Sequence, residues 1–536
     1  VSIGADDLKR YKRFRDNSRD YENIPLKLKL TVDEASALAP QLYQFPGVEI
    51  NARTFREYPY GKLTAHVLGY IGRISIKDVE KLTEEDRQDL YRGTTHIGKL
   101  GLEAYYEPQL HGIPGMQEVE KDAGGNIIRA LNNTPAQSGQ TLRLAMDIRM
   151  QQKADELLGN RRGAVVAIDP QTGGVLALVS KPSFDPNLFI DGIDSENWKA
   201  LNENWETPMI NRTIQGLYPP GSTFKPFISM AILESGKLTQ TSVVPAPGAW
   251  SIPGSSHQYR DSVRSGHGAV NLQRAITVSS DTFFYRIGYE MGIDKVAPYL
   301  KQFDLGQLTG IDLPNENKGI LPSREWKKER FKKTPKNQEW HPSEMVSISI
   351  GQGYNTYTPL QMAHATAILS NNGVVYRPHV VKELHNHQTQ EITLVDPKPE
   401  RTLPFKQSNF DYIKKGMEGV LRPGGTGWRV GSGLQYTMAG KTGTAQVKSI
   451  AQGKSYNAAA LSVQHRDHAW FIAFAPVDKP KIAIAVILEN GGWGATAAPV
   501  ARQLADFYLL KILGRGTAEE LSTPQGMSVL ADETLI

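Results

Sequence analysis

Two pairs of apolar, β-rich runs at opposite ends of one long stretch constrain this chain more than any other feature. Residues 163–169 and 174–180 are joined by Pro170, Gln171, Thr172 and Gly173, which are turn residues in the right place for a hairpin. Residues 469–475 and 481–488 form the second pair, separated by a segment with proline at both ends, Pro476 and Pro480. Helical periodicity dominates the chain between them. Strands at both ends of a domain with helices inserted between them predict an antiparallel sheet flanked by helices, an α+β layer architecture.

The remaining organisation follows from composition and breakers. At 536 residues the chain is too long for one ordinary core. Residues 1–138 are charged and irregular and read as a separate N-terminal domain, with helices expected over 31–42 and 76–92 and a short strand over 47–51. Small and breaker residues over 132–139 read as a linker. A second domain is expected over 139–513, with a helix over 146–158 at its start and another over 497–513 at its end. The polar segment 514–536 reads as a fraying tail.

Bulk chemistry excludes several functions. Sixty-one Lys and Arg against 56 Asp and Glu, for a net charge of +5, leave no sustained basic stripe, so nucleic-acid binding is not indicated. Zero cysteines exclude disulfides, thiolate metal sites and a cysteine nucleophile. The longest apolar runs are strand-sized, well short of the roughly 20 residues that cross a bilayer. The chain begins at Val1 without a signal peptide, which predicts a trimmed or incomplete N-terminus.

Three short motifs carry the chemistry. Ser222, Thr223, Phe224 and Lys225 follow a double proline and open an apolar helix-like run that ends at Gly236. A helix there places Ser222 at the positive end and Lys225 one turn on, on the same face. A serine hydroxyl is a poor nucleophile without a nearby base, and a lysine serves as that base when burial and neighbouring cations lower its pKa. The amide of Ser222 supplies one half of an oxyanion hole.

Ser279, Ser280 and Asp281 lie between two helical segments, where Ser279 can relay a proton and Asp281 can orient Lys225 and a substrate amide. Lys441, Thr442, Gly443 and Thr444 read as a strand edge. There Lys441 offers a cation, Thr442 and Thr444 hydroxyls for a carboxylate, Gly443 room for a substrate backbone, and the Thr444 amide the second half of the hole. Each motif alone reads as a helix cap or a turn. Their joint occurrence, in this order, predicts an acyl-transfer enzyme built on an active serine.

The set resembles the signature of the penicillin-recognising acyl-serine transferases, Ser-x-x-Lys, Ser-x-Asn and Lys-Thr-Gly. The wider chain is similar to class B penicillin-binding proteins of the elongation type. The likeness extends through residues 98–112, 218–226, 280–285 and the Gly351, Gln352, Gly353, Tyr354 stretch. Two departures stand out: Asp281 replaces the family's Asn, and an Arg-Gly and Asp-Arg-Asn-Gly stretch expected early in the first domain is absent.

The resemblance implies a penicillin-binding transpeptidase domain, a five-stranded antiparallel sheet flanked by helices, preceded by an elongated α+β pedestal domain. It implies a D,D-transpeptidase that crosslinks peptidoglycan stem peptides during cell elongation and is trapped by β-lactams. It also implies a SEDS-type glycosyltransferase and an elongation-complex scaffold as partners. The expected place is the periplasmic face of the bacterial inner membrane, reached through an N-terminal anchor outside this sequence.

A serine β-lactamase or D,D-carboxypeptidase shares the motifs, but a free hydrolase has no need of a large first domain. A non-catalytic β-lactam sensor would need a signalling module, and none is visible; retention of all three motifs argues against a non-catalytic scaffold. No cofactor is needed for the chemistry. Some family members bind zinc near the second motif, and Asp261 and His267 are candidate ligands here; the two other positions correspond to Ala246 and Ser280, which cannot ligate.

Overall fold

The computed structural model describes residues 1–17, 24–28, 30–51, 55–85, 87–122, 127–395, 397–447 and 461–514. Its organising element is a five-stranded antiparallel sheet. In chain order, helix α1 (Ile148–Leu158) precedes β1 (Gly163–Ile168) and β2 (Val175–Lys181). Then come α2 (Lys225–Glu234), α3 (Leu272–Val278), α4 (Asp281–Met291), α5 (Pro359–Ser370) and α6 (Gln407–Val420). The chain closes with β3 (Ala439–Ala445), β4 (His468–Ala475), β5 (Ile482–Leu488) and α7 (Ala498–Asp506). The strand order is β3-β4-β5-β1-β2, so β5 pairs with β1 across nearly the whole domain.

Both faces of this sheet are covered, which is why its strands read as unbroken apolar runs rather than alternating ones. On one face Trp470, Ile472, Phe474, Ala483, Ala485 and Ile487 join the core formed with α2, α3 and α5. On the other, Phe471, Ile482, Ile484 and Val486 pack with Met150 and Ala154 of α1 and Ala501 and Leu504 of α7. The small side chains Ala483 and Ala485 lie on the face toward α5, a helix with every residue buried. That helix starts at a complete capping box between Thr358 and Gln361.

Local expectations in the first domain needed correcting. The helix expected over 31–42 is α-helical only over Val32–Leu38, opened by a Thr31/Glu34 capping box. It continues as a 3₁₀ segment, Ala39–Gln44, because Pro40 removes an amide from the ladder. The helix expected over 76–92 ends at Glu84, and a separate 3₁₀ turn covers Gln88–Tyr91. Residues 47–51 form no strand: a turn is followed by unpaired chain.

The linker expected over 132–139 is in part a strand. Ile127–Thr134 pairs with Met116–Lys121, and Ile113 bridges Gln137 just beyond it. Of the tail expected over 514–536, residues 515–536 lie outside the described residues. At the other end of the second domain, the helix expected over 497–513 is α-helical over Ala498–Asp506 and continues as a π-helical turn over Phe507–Ile512.

The first domain is seated on the second by specific polar contacts. Gln151 of α1 donates to the Leu63 carbonyl at 3.0 Å, Asn211 to the His66 carbonyl at 2.9 Å, and Tyr106 to Asp312 at 2.9 Å. Among the described residues no helix is long and apolar enough to cross a membrane.

Candidate active site

The chain enters the site through Pro219 and Pro220 into a 3₁₀ turn, Gly221–Phe224, and only then into α2. Ser222 therefore sits in a tight turn ahead of the α-helix rather than in its first α-helical turn. Pro226 is tolerated at the second position of α2, where amides have no intrahelical partner. Ser222 is partly exposed, whereas Gly221, Thr223, Phe224 and Lys225 around it are buried.

Ser279 terminates α3 in the left-handed conformation, φ 59 and ψ 40. For a non-glycine residue that costs on the order of 1 kcal/mol or more. The reversal turns both its carbonyl and its hydroxyl toward the lysines. Ser280 then caps α4, accepting from the Phe283 amide, so Asp281 occupies the first position of that helix.

These elements bring the two amines together on Ser279. Lys225 Nζ donates to the Ser279 carbonyl at 2.8 Å, approaches its Oγ at 3.2 Å, and pairs with Asp281 Oδ1 at 2.6 Å. Lys441 Nζ lies 2.8 Å from the same Ser279 Oγ and 2.9 Å from the Thr442 carbonyl. Both lysine side chains are fully buried. Burial, followed by the charge of Lys225, pushes Lys441 well below the usual lysine range, against a smaller opposing pull from Asp281. Among the described residues the Ser222 hydroxyl makes no hydrogen bond, and the Lys225 ammonium is directed at Ser279 and Asp281.

Among the described residues strand β3 is an edge strand, paired to β4 on one side only. Its Gly443 makes room for the serine turn to approach closely. A Cβ on Gly443 would meet Thr223 Cγ2 at 2.7 Å and the Pro220 carbonyl at 2.8 Å. The Thr442 hydroxyl is engaged by Thr426 at 2.7 Å, and the Thr444 hydroxyl accepts from the Gly494 amide at 3.0 Å.

Asp261 organises the second motif. Its Oδ2 accepts from the Asp281 amide at 2.8 Å, the Ser280 hydroxyl at 3.1 Å and the Thr282 amide at 3.2 Å. Its Oδ1 accepts from the Val263 amide at 3.1 Å and faces His267 Nε2 at 3.2 Å. Burial alone would raise the pKa of this carboxyl. The amides of Val263 and Thr282, with the charges of His267 and Lys225, more than offset that and hold it below the usual range.

A zinc ion does not fit these residues. Both carboxylate oxygens already accept several donors, and among the described residues no three His, Asp, Glu or Cys side chains are grouped to hold a metal. Asp261 instead anchors the start of α4. Replacing it with Asn turns one of those acceptors into a donor facing donors. The expected result is a loss of about tenfold in acylation of Ser222, roughly 1.4 kcal/mol, read by stopped-flow with a fluorescent penicillin.

His465 is exposed in a 3₁₀ turn. His468 opens β4, accepts from the Asn490 amide at 2.9 Å, and burial lowers its pKa.

Two residues of the site escaped sequence reasoning. Gln352 donates to the Thr444 carbonyl at 3.0 Å, and Gly494 backs onto Gly443, where a Cβ would lie 2.3 Å from its carbonyl. Gln352 lies in a stretch that carries the family likeness but no chemistry of its own, and Gly494 gives no signal in the sequence.

A partly exposed serine in a tight turn ahead of a helix, two buried amines bridged by a second serine, and an edge strand beside them define a serine acyl-transferase site. The family profile for the penicillin-binding protein transpeptidase domain matches residues 163–506, and that for the penicillin-binding protein dimerisation domain matches residues 4–144. The chain belongs to the penicillin-binding proteins that carry these two domains.

It is 45% identical over 512 residues to the peptidoglycan D,D-transpeptidase MrdA of Acinetobacter baumannii, covering 95% of this chain and 74% of that protein. It is 39% identical to Pseudomonas aeruginosa PBP2, solved in complex with WCK 5153, with a TM-score of 0.72 over 89% of this chain and 96% of that one. It is 30% identical to Helicobacter pylori PBP2, solved in complex with MreC, with a TM-score of 0.78 over 96% of this chain and 93% of that one.

Proposed function

We propose that this protein is a peptidoglycan D,D-transpeptidase whose Ser222 attacks the penultimate D-Ala carbonyl of a stem peptide. The observation that carries the reading is the Ser279 hydroxyl lying between two buried amines, 3.2 Å from Lys225 and 2.8 Å from Lys441. Two ammonium groups this close and this dry repel each other, so the pair resists holding both charges. A proton passed from Lys225 through the Ser279 hydroxyl to Lys441 leaves Lys225 neutral with no change in net charge. Lys225, three residues after Ser222, then accepts the serine proton.

The tetrahedral oxyanion forms between the amides of Ser222 and Thr444. As it collapses, the terminal D-Ala amine takes a proton returned through Ser279 and leaves, and the acyl group stays on Ser222. An amine of a neighbouring stem peptide attacks the ester and gives up its proton to Lys225, which passes it to Ser222 Oγ as the ester C–O bond breaks, leaving a new amide bond and the free serine. Lys441 acts as the electrostatic anchor for the donor's terminal carboxylate, together with Thr442 and Thr444. Asp281 holds Lys225 in place. A β-lactam carbonyl presented in the same way acylates Ser222 and persists.

The family likeness supports the following physiological setting. The enzyme works at the periplasmic face of the inner membrane in cell elongation, with a scaffold contacting its first domain and a SEDS-type glycosyltransferase supplying glycan strands. The complex of Helicobacter pylori PBP2 with MreC supports a scaffold partner.

The test is intact-mass timing of a penicillin adduct with Ser222→Ala as control. One adduct per chain, lasting hours and absent from the variant, is expected. Rapid loss with turnover makes the enzyme a hydrolase, and an adduct that survives Ser222→Ala overturns the assignment of the nucleophile.

A further inference from the structure

The catalytic geometry needs two backbone amides, on Ser222 and Thr444, held at one separation although they lie on different elements. The sheet ladder positions β3 from its inner edge only, because the strand is terminal. Its other edge meets the serine turn without a regular ladder, so something else must set that distance.

The segment at Gly351 and Gln352 touches both sides. The Gly221 amide, immediately before the nucleophile, donates to the Gly351 carbonyl at 2.9 Å. The Gln352 side-chain amide donates to the Thr444 carbonyl at 3.0 Å. Contact is close throughout: a Cβ on Gly351 would lie 2.2 Å from the Gly221 carbonyl, and one on Gly221 would lie 2.4 Å from the Thr444 carbonyl. Both glycines have positive φ, 74 and 54, which a side chain would strain.

The segment is itself held rigidly. The Gln352 amide donates to the Ser347 carbonyl at 3.0 Å. Asn355, fully buried, donates to the Ile348 and Gln352 carbonyls at 3.0 and 3.1 Å and accepts from Tyr357 at 2.9 Å. A glutamine on such a base is a strut rather than a wandering surface side chain.

We propose that Gly351 and Gln352 form a clamp that sets the spacing between the serine turn and β3, and that Gln352 is a positioning residue for acylation. It acts through the Thr444 peptide and not through contact with the reacting atoms. The proposal rests on the acyl-serine reading above, which the wild-type adduct tests separately.

The experiment measures penicillin acylation of wild type, Gln352→Met and Gln352→Glu, resolving the non-covalent dissociation constant from the first-order acylation rate constant, with a thermal melt of each. Methionine keeps the length and volume but cannot donate; glutamate at neutral pH places negative charge against a carbonyl. The expected order of acylation rate constants is wild type, then Met about five- to tenfold lower, then Glu lower still, with non-covalent affinity within twofold and melting temperatures close to wild type. Equal rate constants in all three overturn the proposal. So does a loss confined to the non-covalent constant, which would make Gln352 a substrate contact. Should Gln352→Met fail to fold, Gln352→Ala reads the same bond, and full acylation in that variant is equally fatal. If wild type itself forms no adduct, it is the acyl-serine reading that fails.

Discussion

Lys225→Met is expected to lower acylation of Ser222 by about 10²- to 10⁴-fold, the range for loss of a positioned general base, while the fold survives. The side chain is fully buried and makes three polar contacts, to the Ser279 carbonyl, the Ser279 hydroxyl and Asp281. Methionine matches its length and leaves the Phe284 ring, 5.4 Å from Nζ, packed.

Lys225→Arg separates the chemistry from the charge. Arginine can keep the ion pair with Asp281, but its guanidinium does not give up a proton in a protein, so it cannot act as the base. The expected result is an arginine variant nearly as slow as the methionine one. An arginine variant with most of the wild-type rate would mean that position 225 supplies only positive charge, and that the base lies elsewhere. A melting curve on each variant tells a slow active site from a damaged one.

Glu489→Leu is expected to destabilise the second domain by about 3–5 kcal/mol, the cost of leaving a buried ion without its partner. Glu489 stands just past the end of β5 and binds three donors: Arg162 at 2.5 Å, Arg212 at 2.8 Å and Tyr218 at 2.6 Å. Arg212 is only 2% exposed, so its charge cannot reach water once the carboxylate is gone. Burial and the adjacent carboxylate also push the Tyr218 phenol far above its usual range, which keeps it a donor at any working pH.

The reverse change discriminates. Arg212→Met leaves Glu489 with Arg162 and Tyr218 and should cost clearly less than Glu489→Leu. Urea unfolding of the two variants checks this, and equal losses would contradict the accounting. Because Tyr218 leads through Pro219 and Pro220 into the serine turn, Glu489→Leu should also slow acylation.

Much of the site was legible in the chain because its signals are local. Ser222, both lysines, Ser279 and Asp281 can be picked out as candidates by spacing and order, and the structure places the lysines and Asp281 around Ser279; the edge position of Lys441 follows from a short β-like run containing a glycine. Asp261 and His267 can be found together in the chain, but only as candidate metal ligands and not as the anchor of α4. A carboxylate beside a histidine suggests a metal, and nothing in their sequence shows that the Asp281 and Thr282 amides already take up Asp261 Oδ2. Gln352 had no chemistry to read, since its function depends on a strand some ninety residues further on.

The layered class and the inventory of candidate reacting groups can be read from local signals in the chain. Turn residues inside each hairpin, apolar runs too long to alternate, and a serine set one turn before a lysine are properties of neighbouring residues. Tertiary structure alone decided the order β3-β4-β5-β1-β2, which joins strands from both ends of the domain. It also decided which glycine makes room for which backbone, and that Ser279 would sit between two amines. Those outcomes depend on contacts between distant segments, where packing against the rest of the core, not local preference, sets the free energy.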